Sequence, residues 1–202
     1  MTAAAAVELS AHRRDEYLQA ARIAIDPARV QIELDLTPGI ALADAILDAI
    51  DRSRDGVLSA AEQQSYAALV LGALALEIDG TPLRLQLGAA TFPDVDAVRR
   101  GEGTIRLASA AVLQRQAAGL HQLTFRNRHH RERSVYLANA LVPESRDIAV
   151  TAQRRDSDQT ELTIDYVVRG TLRKGASPWL VAGIAIASVL SLLLIRPLRS
   201  LR

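Results

Sequence analysis

The sequence predicts a mainly β domain with an α-helical insertion: an antiparallel β-sandwich that carries an inserted helix-loop-helix and is followed by a single C-terminal transmembrane helix. Three observations predict it. Short stretches with apolar residues at every second position recur along the chain, residues 40–76 instead follow the period of a helix, and residues 179–195 contain no charged residue. The chain has 202 residues, of which 49% are hydrophobic, so one domain with an appendage is expected.

The β pattern is cleanest in "VQIELDL" at residues 30–36, where apolar side chains alternate with polar ones. The preceding "ARIAI" is expected to form a hairpin with this stretch through "DPAR", and "PLRLQLG" places Leu83, Leu85 and Leu87 on one face. Further candidate strands are "TIRLA", "HQLTFRN", "SVYLAN", "DIAVTAQ" and "ELTIDYVV". Gly, Pro, Asp and Ser separate these seven or eight strands, which favours an antiparallel sandwich over residues 12–167.

The helical insertion at residues 40–76 consists of two periodic stretches. "IALADAILDAI" has Leu42, Ile46 and Ile50 at spacings of four, which predicts a first helix with one apolar face. "AAEQQSYAALVLGALAL" predicts a second helix. Its apolar face is expected to contain Tyr66, Leu69, Val70 and Ala73.

The segment "DRSRDGVLSAAE", residues 51–62, joins these helices and has the spacing of a calcium loop. Calcium takes six to eight oxygen ligands, and a twelve-residue loop supplies them from positions 1, 3, 5, 7, 9 and 12, with a glycine at position 6. Gly56 occupies that glycine position. The predicted ligands are the side chains of Asp51, Ser53, Asp55, Ser59 and Glu62 and the carbonyl of Val57.

Two alternatives compete with a working calcium site. The loop could be vestigial, or it could be a metal-free turn, because Ser59 and Glu62 also form the pattern of a helix capping box and Asp55-Gly56 is a common turn pair. If calcium binds, we expect weak affinity, since only three carboxylates face the ion and Arg52 and Arg54 add positive charge. Weak sites of this type are filled outside the cytoplasm.

The loop and its flanking helices resemble the EF-hand. The order of "VQIELDLTPGIAL", the loop, "ALEIDGTPLRLQL" and "LHQLTFRNRH" is similar to that of the extracytoplasmic domains which precede the transport region in bacterial nickel/cobalt transporter-like membrane proteins of the HupE/UreJ type. The resemblance covers residues 17–170. It implies the fold and a domain that faces outward, on the periplasmic side.

The uncharged stretch "WLVAGIAIASVLSLLLI", residues 179–195, predicts a membrane anchor. Residues 168–178 are expected to form a juxtamembrane linker, and residues 196–202 a basic cytoplasmic tail. Basic residues flank the anchor on both sides, so charge alone does not decide its orientation. Gly183, Ala187 and Ser191 place small side chains on one helical face, which predicts a homodimer contact unless their spacing is chance.

The N-terminus lacks the basic and apolar regions of a signal peptide, although Leu9-Ser10-Ala11 resembles the end of one. Residues 1–11 are therefore interpreted as the remnant of a targeting segment.

Other functions have little support in the sequence. A formal net charge of +1 argues against nucleic-acid binding, and the absence of cysteine excludes disulfides and thiolate sites. We expect no enzymatic activity, because the common catalytic motifs are missing and the pair Asp94 and Asp96 fits a surface turn. His129 and His130, with His121, are expected to be solvated rather than metal ligands. The preferred function is a membrane-anchored calcium-binding module, and the alternative is an accessory to nickel or cobalt transport.

Overall fold

The computed structural model describes residues 15–170, which contain ten β-strands and four short helical segments. The strands are β1 Tyr17–Asp26, β2 Arg29–Pro38, β3 Leu74–Ile78, β4 Thr81–Pro82, β5 Gln86–Thr91, β6 Ile105–Val112, β7 Gly119–Asn127, β8 Ser134–Ala140, β9 Ile148–Arg155 and β10 Glu161–Val168. The helical segments are a 3-10 turn at Ile40–Leu42 and the helices α1 Ala43–Ile50, α2 Ala60–Gly72 and α3 Val95–Arg99.

The strands form two five-stranded sheets. The first sheet has the order β5-β6-β2-β1-β8, and the second has the order β4-β3-β7-β10-β9. Alternate side chains of both sheets, such as Ile23 and Leu34 from the first and Leu123 and Ile164 from the second, belong to one buried cluster. The prediction of a mainly β domain is therefore confirmed, with two antiparallel-rich sheets that share one buried cluster.

One strand pair departs from the antiparallel prediction, because β8 runs parallel to β1, with Tyr17 opposite Ser134. β8 is also the last strand of its sheet, and its outer edge is covered by side chains from β9. The Gln153 Oε1 atom accepts from the Ala140 N–H, and the Arg155 guanidinium donates to the Ala138 carbonyl. These bonds satisfy backbone groups that would otherwise be open to pairing with another chain.

The predicted hairpin of β1 and β2 is confirmed, with Ile25 opposite Val30. The helical insertion follows β2 as predicted but ends at Gly72, because residues 74–76 already belong to β3, where they pair with β7. The stretch "PLRLQLG" is not one strand: residues 83–85 separate β4 from β5. Its leucines nevertheless all pack against the core, as the alternation indicated.

The predicted helix faces are largely correct. Leu42, Ile46 and Ile50 are buried, as are Tyr66 and Val70, whereas Leu69 is 57% exposed because α2 is covered by protein on one side only. The "FPDVDA" stretch is not a simple turn, since Asp94 accepts from the Ala97 N–H at 2.7 Å and caps the short helix α3.

Strand register defines two opposite ends of the domain. The helical end contains α1 and α2 and lies where β2 ends at Pro38 and β3 begins at Leu74. The exit end lies where β10 ends, because Val168 pairs with Gly119 at the start of β7. The chain leaves the described domain at Gly170, whose position is close to Ala118.

Within residues 15–170, no helix is long and apolar enough to cross a membrane. The predicted anchor at 179–195, with Gly183, Ala187 and Ser191, lies outside the described residues, as do residues 1–11, the tail at 196–202 and most of the linker. β10 continues through Val168, the first residue of the segment predicted as linker.

Candidate metal centre

The candidate loop is held between two helices by local hydrogen bonds. The Asp51 N–H donates to the Leu47 carbonyl and ends α1. Ser59 begins α2 with a capping box, in which its hydroxyl accepts from the Glu62 N–H and the Glu62 carboxylate accepts from the Ser59 N–H. Such a box satisfies two amides that the first helical turn leaves without partners. Ser59 and Glu62 therefore form the capping box that the sequence offered as an alternative to calcium binding.

Asp51 accepts hydrogen bonds across the first half of the loop. Its Oδ2 atom accepts from the Gly56 N–H at 2.9 Å, and its Oδ1 atom accepts from the Asp55 N–H at 3.3 Å and from the Ser53 hydroxyl at 3.1 Å. Neither the capping box nor an Asp55-Gly56 turn by itself requires an aspartate at position 51. In the structure, Asp51 has a role of its own, because it accepts hydrogen bonds from the amides of the turn.

Glu62 closes the second half of the loop. Its Oε1 atom accepts from the Ser53 N–H at 2.9 Å, and its Oε2 atom accepts from the Ser59 N–H at 3.0 Å and the Ser59 hydroxyl at 2.6 Å. These bonds lower the pKa of Glu62 to about 2, with the Ser59 hydroxyl as the largest cause. The carboxylate is thus charged at every pH at which the protein would normally be studied.

The turn itself depends on two left-handed residues, Arg54 with φ 59° and Gly56 with φ 80°. Glycine adopts this conformation without the steric cost that a side chain brings, which explains Gly56 at the sixth position. Leu58 holds the loop against the domain, since its side chain packs against both the main core and a smaller cluster of Ala43, Leu47 and Val98. The polar residues of the loop are therefore exposed, while Leu58 fixes its position.

The structure brings together some of the predicted ligands but not all. Asp51 and Glu62 meet at Ser53, and Ser59 touches Glu62, whereas the Asp55 carboxylate turns back to the Val57 N–H at 2.8 Å. In residues 15–170, no three acidic, histidine or cysteine side chains converge tightly enough to hold a metal ion. The donor set of carboxylate, hydroxyl and carbonyl oxygens nevertheless matches the ligands that calcium prefers.

The prediction of solvated histidines is wrong for His129, which is 3% exposed. Its Nε2 atom lies 3.2 Å from the Tyr66 hydroxyl, which in turn lies 2.9 Å from the Tyr17 hydroxyl. We call these three residues the tyrosine–histidine cluster. It joins α2 to β1 and to the turn after β7, so a buried polar contact connects the helix pair to both sheets.

Buried amides support the tyrosine–histidine cluster. The Gln19 amide donates to the His129 carbonyl at 2.8 Å, and the Asn127 amide donates to Gln19 Oε1 at 2.8 Å. The Asn127 side chain also accepts from the His129 N–H at 3.0 Å. Because these polar groups are paired with one another, the segment around His129 can be buried without a large desolvation penalty.

Their surroundings shift the pKa values of His129 and His121 in opposite directions. Desolvation, followed by the proximity of His130, lowers the pKa of His129 to about 4, so His129 is neutral at pH 7. His121 Nδ1 instead lies 2.7 Å from Asp79 Oδ2 and its Nε2 lies 2.8 Å from the Ala117 carbonyl oxygen, and these hydrogen bonds, that with Asp79 first, raise the pKa of His121. Both ring nitrogens of His121 are thus engaged by the protein, and His129 is buried against Tyr66.

Sequence reasoning missed the tyrosine–histidine cluster, although one signal was available. In "YLQAARIAI" the inward positions of β1 are those of Tyr17, Gln19, Ala21, Ile23 and Ile25, so a glutamine occupies a core position among apolar residues. A buried glutamine requires hydrogen-bond partners. The pattern could therefore have predicted a buried polar network, but not that Asn127 and His129 complete it.

Comparison of the sequence with models of protein families finds no match, and comparison with curated proteins finds none either.

Proposed function

We propose that this protein is a membrane-anchored extracytoplasmic module that binds one calcium ion, with a structural or partner-binding role. The observation that best supports this is the convergence of the two ends of the loop. Ser53 donates from its hydroxyl to Asp51 and from its N–H to Glu62, so the first and last predicted ligands already lie on either side of one serine. A cation placed among these oxygens would replace hydrogen-bond donors with a stronger positive charge.

The residues that would hold the ion are the six predicted from the spacing. Asp51 would bind through one of its carboxylate oxygens, both of which now accept hydrogen bonds from the loop. Ser53, Asp55 and Ser59 would add side-chain oxygens, Val57 its carbonyl, and Glu62 both carboxylate oxygens. Bound calcium supplies fixed positive charge that stiffens the connection between α1 and α2.

The hydrogen bonds of Glu62 give a physical reason for weak affinity. A carboxylate offers about four lone-pair sites, and Glu62 already accepts three hydrogen bonds, two of them on Oε2. Gripping calcium with both oxygens therefore requires Ser59 to release one of its two bonds. The hydroxyl is the group that can do so, because it can rotate its hydrogen away and present its oxygen to the ion. Binding thus competes with the existing capping contacts.

The expected weak affinity supports an outward-facing domain, where calcium is plentiful. The chain would then be anchored by residues 179–195, with 196–202 in the cytoplasm. A reporter that is active only outside the cytoplasmic membrane, fused after Arg202, is expected to be silent. An active fusion would reverse the orientation.

Calorimetry tests the calcium proposal directly. The full chain in detergent is titrated with calcium, magnesium, nickel and cobalt in separate experiments. We expect one calcium ion to bind and magnesium to bind more weakly, because magnesium gives up its water reluctantly. Binding of nickel or cobalt in preference to calcium would favour the alternative, an accessory role in transition-metal transport or homeostasis, such as that of a subunit beside a transporter. If none of the four metals gives a heat of binding, the loop is a metal-free capped turn and the calcium proposal is refuted.

A further inference from the structure

The most exposed large apolar side chains of the described domain lie at the exit end. Val112, Leu120 and Val142 are 78%, 77% and 90% exposed, and each of the other large apolar residues of residues 15–170 is less exposed than these. Val112 ends β6, Leu120 lies at the start of β7, and Val142 follows β8. Isolated exposed apolar residues are common, and Ile40, Val57 and Leu69 near the helical end are 50%, 64% and 57% exposed. The three most exposed side chains nevertheless lie together at the exit end, which indicates a surface that contacts something other than water.

Basic side chains accompany these apolar residues. Arg84 and Arg115 line a cavity of about 500 Å³ together with Val112, Leu113, Gln116 and His121. Within residues 15–170, neither guanidinium has a hydrogen bond or an ion pair. Asp79 also lines this cavity, and its carboxylate lies 2.7 Å from His121 Nδ1, so the unpaired positive charge comes from the two arginines. Unpaired arginines next to apolar side chains suit an anionic amphipathic partner.

The two ends of the domain differ in their relation to the chain rather than in charge. The helical insertion carries Asp44, Asp48, Asp51, Asp55 and Glu62 against two arginines, but the turn after β7 lies at the same end and adds Arg128, Arg131 and Arg133. β10 delivers the chain to the exit end before Gly170.

The sequence limits how far the exit end can be from the predicted anchor. Eight residues lie between Gly170 and Trp179, the first residue of the uncharged stretch. A fully extended segment of this length spans at most about 30 Å. If residues 179–195 cross the bilayer, Gly170 is within that distance of the membrane surface.

We propose that the exit end docks on the headgroup layer of an anionic phospholipid bilayer, with Arg84 and Arg115 contacting lipid phosphates and Val112, Leu120 and Val142 entering the interface. This inference rests on the proposed membrane anchoring. The arginine contacts would be weakened by salt, and each arginine near an anionic surface strengthens binding by about fivefold. The helical end, with the calcium loop, then faces away from the lipid.

The absence of cysteine from the chain allows a clean labelling test. Gln114→Cys places a label beside the cavity at the exit end, and Gln64→Cys is a matched control on the exposed side of α2 at the helical end. The full chain with a fluorophore at one position is reconstituted in nanodiscs that contain nitroxide headgroup lipids as quenchers. One set contains only phosphatidylcholine, and the other contains phosphatidylglycerol in addition.

We expect strong quenching at position 114 in the anionic nanodiscs, weaker quenching in the zwitterionic ones or at high salt, and little at position 64. The double variant Arg84→Gln/Arg115→Gln should lower quenching at 114 to the zwitterionic level. Arg131→Gln, which changes an exposed arginine beyond the other end of β7, should have no effect. If quenching at position 114 is the same in both kinds of nanodisc and in the double arginine variant, the short linker alone explains it and the proposal is overturned. Equal quenching at 64 and 114 would overturn it as well.

Failure of the anchor can be recognised separately. Alkaline carbonate removes proteins that lack a membrane span, so extraction of the chain from vesicles would refute the anchor. The same chain is then tested by flotation on phosphatidylglycerol vesicles at low salt. Flotation that depends on Arg84 and Arg115 would support docking without the anchor, whereas no flotation would end the docking proposal too.

Discussion

Substitution of Glu62 by glutamine separates calcium binding from helix capping. Glutamine keeps one carbonyl-type oxygen, which can still accept from the Ser59 N–H and preserve the capping box. It loses the negative charge and places an amide nitrogen where the second carboxylate oxygen now accepts hydrogen bonds. An amide nitrogen cannot bind calcium. The variant should therefore fold like the wild type but lack the effect of calcium.

The size of the calcium effect follows from binding to the folded loop only. When calcium exceeds its Kd tenfold, the folded state gains about 1.4 kcal/mol. For a protein of this length, that corresponds to a rise of about 3–6 °C in Tm. In Glu62→Gln we expect this rise to disappear, with a small loss of stability in chelator because the Ser53 N–H loses its partner to solvent.

Thermal unfolding in chelator and in several millimolar calcium measures both quantities. Asp51→Asn should behave like Glu62→Gln, although Asp51 takes no part in the capping box. Asp94→Asn is the matched control, since Asp94 caps α3 outside the loop and its substitution should leave the calcium shift intact. A wild-type Tm that does not change between chelator and calcium would refute the calcium proposal, and a shift that persists in both loop variants would place the ion elsewhere.

Two further predictions concern other regions. The His129 imidazole should remain neutral down to about pH 4, and the pKa of His121 should lie above the usual histidine value. NMR titration of the two imidazoles measures both. Because the unfolded chain binds a proton at His129 near pH 6.5, this residue contributes full stability above that pH and loses it as the pH falls towards 4, by at most about 1.4 kcal/mol per pH unit. Titration of His129 near 6.5 would contradict its burial. Gly183→Ile should abolish self-association in a membrane two-hybrid assay if the small-residue face forms a dimer, and an unchanged signal would remove that idea.

The strands and helices were largely predictable, because each depends on local periodicity. β2 alternates cleanly, and its inward residues Val30, Ile32, Leu34 and Leu36 are all buried. Alternation of apolar and polar residues shows which side chains face the core but not where a strand is interrupted. The break at residues 83–85 was therefore missed. The parallel pairing of β1 with β8 also could not be predicted, since their pairing depends on contacts between distant parts of the chain.

The candidate metal centre was predictable in composition but not in conformation. The spacing identified Asp51, Gly56, Ser59 and Glu62, and each has the local role that its residue type favours. The orientation of Asp55 was not predictable, because a short acidic side chain can turn towards a nearby amide or towards an ion with little change in backbone. The burial of His129 was missed because "RNRHHRER" is polar, and only the tertiary contacts of Gln19 and Asn127 explain it.

The tyrosine–histidine cluster makes a last prediction about how the helix pair is held. Tyr66 is the only residue of α2 in this cluster, and its hydroxyl contacts both the Tyr17 hydroxyl and His129 Nε2. Tyr66→Phe leaves the Tyr17 hydroxyl buried without its partner, which should cost about 1–3 kcal/mol of unfolding free energy. Tyr17→Phe should cost less, since Tyr66 keeps His129 as a partner. Once Tyr66 is phenylalanine, removing the second hydroxyl relieves an unpaired group, so the double variant should be no less stable than Tyr66→Phe. Urea unfolding of the four proteins measures this coupling, and additive losses would show that the two hydroxyls act independently and that the helix pair is held by apolar packing alone.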